Sequence, residues 1–117
     1  MAMRAEMVTI DCADPRSLVR FWTEATGYVA ADEWDGEYIV LSPGRPEGGP
    51  AIGLQKVAQP RTGKNRVHID WRTSDRAKEV ARLVGLGATV LAEHEAGTFA
   101  WTVLADPEGN EFCVAAG

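Results

Sequence analysis

His68 and Asp70, two residues apart, are the pair in this sequence best placed to do chemistry. In Val67-His68-Ile69-Asp70 apolar and polar residues alternate, and an extended strand sends the polar pair to one face and the apolar pair to the other. An imidazole with an ordinary pKa of about 6.5 can act as a general acid or base near neutrality. The plainer role is also open, a sheet histidine hydrogen-bonded to Asp70 or to backbone. Val8-Thr9-Ile10-Asp11 carries the same pattern, so Thr9 and Asp11 belong to a corresponding polar face. Asp11 and Asp70 could orient His68 or bind a cationic ligand, or, more plainly, pair with Arg66 or Arg72. Trp101 lies in a strand-like run where either face is open; an indole facing a ligand stacks on flat groups and donates one hydrogen bond. Cys113 has no activating base beside it in sequence and reads as a small apolar filler.

The elements that must position these residues follow a repeated order. Val8 to Cys12 reads as a strand, and Asp14-Pro15 as an N-cap with proline at the first helical position. Leu18, Val19, Phe21, Trp22 and Ala25 form the helix stripe that ends at Gly27. Strands are expected over Tyr28 to Ala31, Tyr38 to Leu41 and Ala51 to Val57, with Asp35-Gly36 as a hairpin turn and Pro43 to Pro50 as a loop. After a polar linker over 58–64 the order recurs. Val67, Ile69 and Trp71 form a strand, and Ser74-Asp75 caps a helix with stripe Ala77, Val80, Ala81 and Val84, Leu83 flanking. Gly87 ends that helix, and strands follow over Thr89 to Ala92, Phe99 to Leu104 and Glu111 to Ala115, with a tight turn from Asp106 to Asn110. Two modules, about 5–57 and 65–116, thus repeat strand, helix and three strands at a period of about 60 residues. Val8, Ile10, Val67, Ile69 and Trp71 should pack beneath the helices, leaving the polar faces to line a cup. Trp22 belongs to the core and Trp34 to the rim.

Composition narrows the function. The chain has 117 residues, a formal net charge of -5, 45% hydrophobic and 25% charged residues, which is a single globular domain. That charge repels phosphate backbones, so nucleic acid is not expected as a partner. No apolar run reaches the roughly 20 residues that span a bilayer, and Met1 to Met7 lacks the apolar run of a signal peptide. Neither a membrane role nor export is expected. Cys12 and Cys113 read as buried thiols of a cytoplasmic protein. No glycine-rich phosphate loop and no Ser/His/Asp order appears.

Lys64-Asn65-Arg66-Val67-His68-Ile69-Asp70, then Leu86-Gly87-Ala88, then Asp106-Pro107-Glu108-Gly109-Asn110-Glu111-Phe112-Cys113 resembles the glyoxalase-like domain of the vicinal oxygen chelate superfamily. Asp14-Pro15 through Phe21-Trp22 and Gly27-Tyr28 matches the first half of the same pattern. The superfamily includes glyoxalase I, extradiol dioxygenases and bleomycin-resistance proteins. The resemblance implies an α+β fold of two βαβββ modules, a curved, cup-like mixed sheet with helices on its outer face. It implies a homodimer too, with modules folded within one chain or exchanged between two. Metal enzymes of the family take one ligand from the first and last strand of each half. Those positions fall here at Met7 (or Thr9, if the shared Val-x-Ile-Asp strings are aligned), near Gly53, at His68 and at Cys113. Only His68 is an ordinary ligand for an oxygen-rich site, so no metal or other cofactor is expected. The resemblance implies a metal-independent binder of a small molecule, with Thr9, Asp11, His68, Asp70, Trp101 and Cys113 lining the site. The alternatives are a metal-dependent lyase or dioxygenase in which His68 is the catalytic residue, and a degenerate domain serving only as an interaction module.

Overall fold

The computed structural model describes residues 2–117, and the chain divides into two compact units, one up to Pro60 and one from Arg61 onward. Each unit is a helix packed on one four-stranded mixed sheet, and both carry the βαβββ order.

The first unit comprises β1 (Met7–Cys12), α1 (Pro15–Thr26), β2 (Val29–Trp34), β3 (Tyr38–Ser42) and β4 (Ala51–Lys56), with sheet order β1-β4-β3-β2. β1 and β4 are parallel, and the other neighbours are antiparallel. Pro15 opens α1 at a position where its missing N–H costs nothing. Gly27 closes the helix at φ 79, a left-handed conformation that favours glycine. The α1 stripe falls as its spacing predicts. Leu18, Phe21 and Trp22 are buried with Ile39, Leu41, Ile52 and Leu54 of the sheet, and Phe21 meets Trp22 edge to face at 5.1 Å. The loop after β3 contains a 3-10 turn at Pro46–Gly48, and the Tyr28 hydroxyl donates to the Pro50 carbonyl at 3.0 Å.

The second unit comprises β5 (Ile69–Thr73), α2 (Arg76–Leu86), β6 (Thr89–Ala96), β7 (Phe99–Ala105) and β8 (Glu111–Ala116), with order β5-β8-β7-β6. The parallel and antiparallel pairings repeat those of the first unit, down to a register shift in the second strand of each half, between Ala30 and Asp32 and between Val90 and Ala92. Asp75 caps α2, its carboxylate accepting the Lys78 N–H at 3.1 Å. The Asp106 to Asn110 turn is built around the buried Asp106 carboxylate, which accepts the N–H groups of Glu108 and Asn110, each at 2.9 Å.

Three expectations are corrected in this unit. Val67 does not pack beneath a helix; it is 78% exposed, because β5 starts only at Ile69. Ile69 pairs with Phe112, so the next partners toward Val67 would lie at Asn110, whose backbone closes the Asp106 turn instead. The stripe of α2 is also differently phased. Leu83 is buried and Val80 half-buried, while Ala77, Ala81 and Val84 face outward. Arg76 lies on the sheet-facing side of this phase: its guanidinium donates to the buried Thr102 hydroxyl at 2.7 Å and pairs with Glu93 at 3.2 Å. Third, β6 continues to Ala96, so the segment after Ala92 is strand and only Gly97 and Thr98 form the turn.

Candidate functional site

Side chains alternate across a strand, so the register of each sheet decides which groups share its open face. In the second unit Asp70 pairs with Cys113, and His68 lies two residues before Asp70 on the same side. The His68 Nε2 atom is 3.4 Å from the Asp70 Oδ1 atom. The donor atoms of His68, Asp70 and Cys113 all lie within 4.8 Å of one another. His68 and Asp70 are exposed, whereas Cys113 is buried at 5% exposure. Burial first, then the charge of Asp70 and its hydrogen bond to the thiol, hold the Cys113 pKa above its ordinary value. Cys113 is thus a protonated thiol at neutral pH and a poor nucleophile.

Trp101 belongs to the same face. Val103 pairs with Cys113 and Trp101 with Ala115, two residues further along the ladder. The indole stacks on His94 across the strand pair, 5.2 Å between centroids with planes 28° apart. Phe99 lies 5.6 Å from the Trp101 ring, and the Arg72 guanidinium stands 5.6 Å from the Phe99 ring centre. This run of Arg72, Phe99, Trp101 and His94 is a ring platform with a cation at one end. His94, Phe99 and Arg72 were missed in the sequence. The available signal was Phe99-x-Trp101, two aromatics at strand spacing.

The open face of the first unit holds different chemistry at matching positions. Thr9 pairs with Gly53 as Asp70 pairs with Cys113. Met7 precedes Thr9 as His68 precedes Asp70, and in each half the helix N-cap follows at the same interval, Asp14 after Thr9 and Asp75 after Asp70. Tyr38, paired with Gln55, matches Trp101. The shared Val-x-Ile-Asp strings are therefore not structural equivalents: Thr9 matches Asp70 rather than His68, and Met7 matches His68. Asp11 is exposed on this face beside Gln55.

Tyr38, absent from the sequence-based site, dominates the centre of this face. Its hydroxyl is 3.1 Å from the Thr9 hydroxyl and donates toward the Met7 sulfur at 3.7 Å. A Cβ atom at Gly53 would lie 2.6 Å from the Tyr38 oxygen. The tyrosine thus fills the space that a side chain from β4 would need. Trp34 meets Tyr38 edge to face at 5.8 Å. The signal for this arrangement was a glycine inside a strand, which marks a close approach.

A divalent ion of the family's kind needs donors from both halves. Met7 offers a thioether, Thr9 a hydroxyl already engaged by Tyr38, and Gly53 no side chain, so the first half does not fit such an ion.

Residues 7–115 match the family model of the glyoxalase-like domain, so the chain belongs to the glyoxalase-like domain family. Solved structures share the fold across the whole chain. A glyoxalase/bleomycin resistance protein/dioxygenase family enzyme from Burkholderia phytofirmans PsJN is 20% identical, with a TM-score of 0.80 over 97% of this chain and 98% of that one. A superfamily member from Sphaerobacter thermophilus DSM 20745 is 19% identical, with a TM-score of 0.74 over 100% and 99%. A lactoylglutathione lyase from Agrobacterium tumefaciens is 15% identical, with a TM-score of 0.72 over 100% and 96%. No curated protein matches the sequence.

Proposed function

We propose that this protein binds a planar small molecule without the divalent ion used by metal enzymes of its family. One observation carries the reading: the Tyr38 hydroxyl occupies the space over Gly53, with Met7 and Thr9 beside it, where the first half would have to supply ligands. A lyase or dioxygenase reaction through His68, the alternative raised by the sequence, needs donors that those residues do not offer. The ring platform supports the ligand class. Trp101, with Phe99, His94 and the Arg72 cation, suits a flat and preferably anionic molecule, because ring faces stack and the guanidinium attracts negative charge. That differs from the cationic ligand that Asp11 and Asp70 could bind, since the charge beside the rings, from Arg72, is positive. Thr9, Asp11, His68 and Asp70 then serve as polar groups of the open faces.

The same proposal includes a cytoplasmic homodimer. Ala77, Ala81 and Val84 on α2, with Val90 and Leu91 on β6, are exposed apolar groups that a second copy would cover; sedimentation of the purified chain tests it. No helix among the described residues is long and apolar enough to cross a membrane. The binding test is a thermal-shift screen of planar aromatic carboxylates and their uncharged amides in excess chelator. Stabilisation by the carboxylates, lost in Trp101→Ala and weakened in Arg72→Ala, is expected. Binding that appears only when a divalent ion is restored, or that survives Trp101→Ala unchanged, would overturn the reading.

A further inference from the structure

One row of strand positions carries opposite charge in the two halves. In the second half the ladders align Arg72, Ala115, Trp101 and His94 from β5 across to β6. The matching row in the first half is Asp11, Gln55, Tyr38 and Trp34. A carboxylate stands where the second half has its guanidinium, and a second ring pair stands where it has Trp101 and His94. We infer that Trp34 and Tyr38, with Asp11, form a binding site for the quaternary ammonium group of a small molecule. The site lies within the first unit and depends on neither the rings of the second nor the ligand proposed for them.

The angle between the rings selects the shape of the ligand. Trp101 and His94 lie within 28° of parallel, a stack that suits flat groups. Trp34 and Tyr38 cross at 72° with centroids 5.8 Å apart, so their planes bound a corner instead of extending one surface. A roughly spherical group seated in a corner meets two ring faces at once, whereas a flat group meets one. The electron-rich faces select a cation, and tryptophan attracts one best among the aromatic side chains. A methylated ammonium is favoured over a small metal ion because it is weakly hydrated and its methyl groups can touch both rings.

The surroundings agree in charge and in rigidity. Alternation puts Asp11 and Asp32 on the ring-bearing face of the sheet, Asp32 pairing with Val40 two residues along from Tyr38. By the same alternation none of the described strand residues on that face is lysine or arginine. Arg16 instead pairs with Glu33, whose ladder partner is the buried Ile39 of the helix side. Tyr38 is held at its hydroxyl by Thr9, 3.1 Å away, and its ring packs against Trp34, so the corner is formed before a ligand arrives. Trp34 is 56% exposed, and its ring is reachable from solvent.

Choline is the probe, and its uncharged isostere, with tert-butyl in place of trimethylammonium, is the control. The isotope-labelled full chain is titrated with each at constant ionic strength while the indole N–H resonances are followed. Trp34 is assigned by the resonance lost in Trp34→Phe. Choline should shift the Trp34 indole saturably, and the isostere should bind about tenfold more weakly. Choline affinity, measured on the resonances of choline itself, should fall about tenfold in Trp34→Ala and about threefold in Asp11→Asn. It should stay unchanged in Trp101→Ala, with far-ultraviolet circular dichroism confirming that each variant is folded. If Trp34→Ala does not fold, Asp11→Asn and the isostere still decide, since both leave the rings in place. Absence of a saturable shift below about 50 mM choline, equal binding of the isostere, full affinity in Trp34→Ala or Asp11→Asn, or loss of binding in Trp101→Ala would overturn the inference. Carboxylate binding on the second-half rings is read through Trp101→Ala, so the two claims fail separately.

Discussion

Gly53→Ala tests the filling of the first open face by Tyr38, and its sign should depend on the neighbouring side chain. In an ordinary strand, replacing glycine by alanine is favourable by about 0.5–1 kcal/mol, because glycine loses more backbone freedom on folding. Gly53 has no unusual φ that would forbid the change. The added methyl, however, lies 2.6 Å from the Tyr38 oxygen, 3.1 Å from its Cζ and 3.0 Å from the Thr9 oxygen. Overpacking of that kind costs about 1–3 kcal/mol. Tyr38 is half-buried and can swing outward, but it then gives up its hydrogen bond to Thr9, worth about 0.5–1.5 kcal/mol. The balance is a net loss of about 1 kcal/mol in the natural background.

In a Tyr38→Ala background the two closest ring atoms are gone and Thr9 is released to rotate. There the same Gly53→Ala change should stabilise the protein by about 0.5 kcal/mol. The coupling between the two sites is then about 1.5 kcal/mol, well above the error of a double-mutant cycle. Urea unfolding of the four proteins gives the cycle, provided that their m-values agree. Equal effects of Gly53→Ala in both backgrounds would show that Tyr38 does not fill the space above Gly53. The first half would then have room for a ligand side chain at position 53.

Asp106→Ala should cost about 2–4 kcal/mol, because it removes a buried carboxylate that accepts two backbone N–H groups and shapes the turn before β8; urea midpoints measure it. Ligand binding per folded molecule should be unchanged, since the carboxylate accepts from N–H groups of its own turn. Thr102→Val removes the hydroxyl that accepts from Arg76 and should cost about 1–2 kcal/mol, measured the same way. Glu79 has its pKa lowered, first by its hydrogen bond to Arg82, so the contribution of this pair is present above the ordinary carboxylate pKa and lost as pH falls through it toward the lowered native value. Glu79→Gln should therefore cost about 0.3–0.5 kcal/mol at neutral pH, the scale of an exposed helical pair, and nothing measurable below the carboxylate range.

What could be read from the sequence follows from how local each signal is. Alternation at Val8 to Cys12 and the stripe of α1 are set by residues a few positions apart, and both appear in the structure. The phase of α2 was not readable. Arg76 looks like a surface residue until the buried Thr102 hydroxyl, on β7, is found to accept from it. The second part of β6 was hidden because Glu93, His94 and Glu95 are charged or polar; an edge strand with exposed faces needs no apolar alternation. The start of β5 misled for the opposite reason, since Val67 fits the alternation but has no partner strand at its height. The candidate site depended on register most of all. His68 and Asp70 share a face by spacing alone, but their alignment with Cys113 is fixed by a parallel ladder between distant segments, and a shift of one residue would have turned the thiol to the helix side.

The two halves keep one frame and hold opposed chemistry in it, and this limits how the first could regain a ligand. A carboxylate or imidazole at Gly53 would begin from the Cβ position that Tyr38 already crowds, so Tyr38 must shrink before any such side chain fits. Shrinking Tyr38 alone frees the Thr9 hydroxyl and the Met7 thioether, neither of which is a strong ligand for a hard divalent ion. Two changes are needed together, and the first offers no gain in metal binding by itself. In the second half the matching slot is Cys113, and the corresponding aromatic, Trp101, packs its ring against His94 and Phe99. The space above Cys113 is left to Asp70 and His68. Tyr38 crowds the glycine of its half, whereas Trp101 belongs to a ring platform beside a slot that carries a cysteine, so the rings and the three close-lying donors fall in the same half.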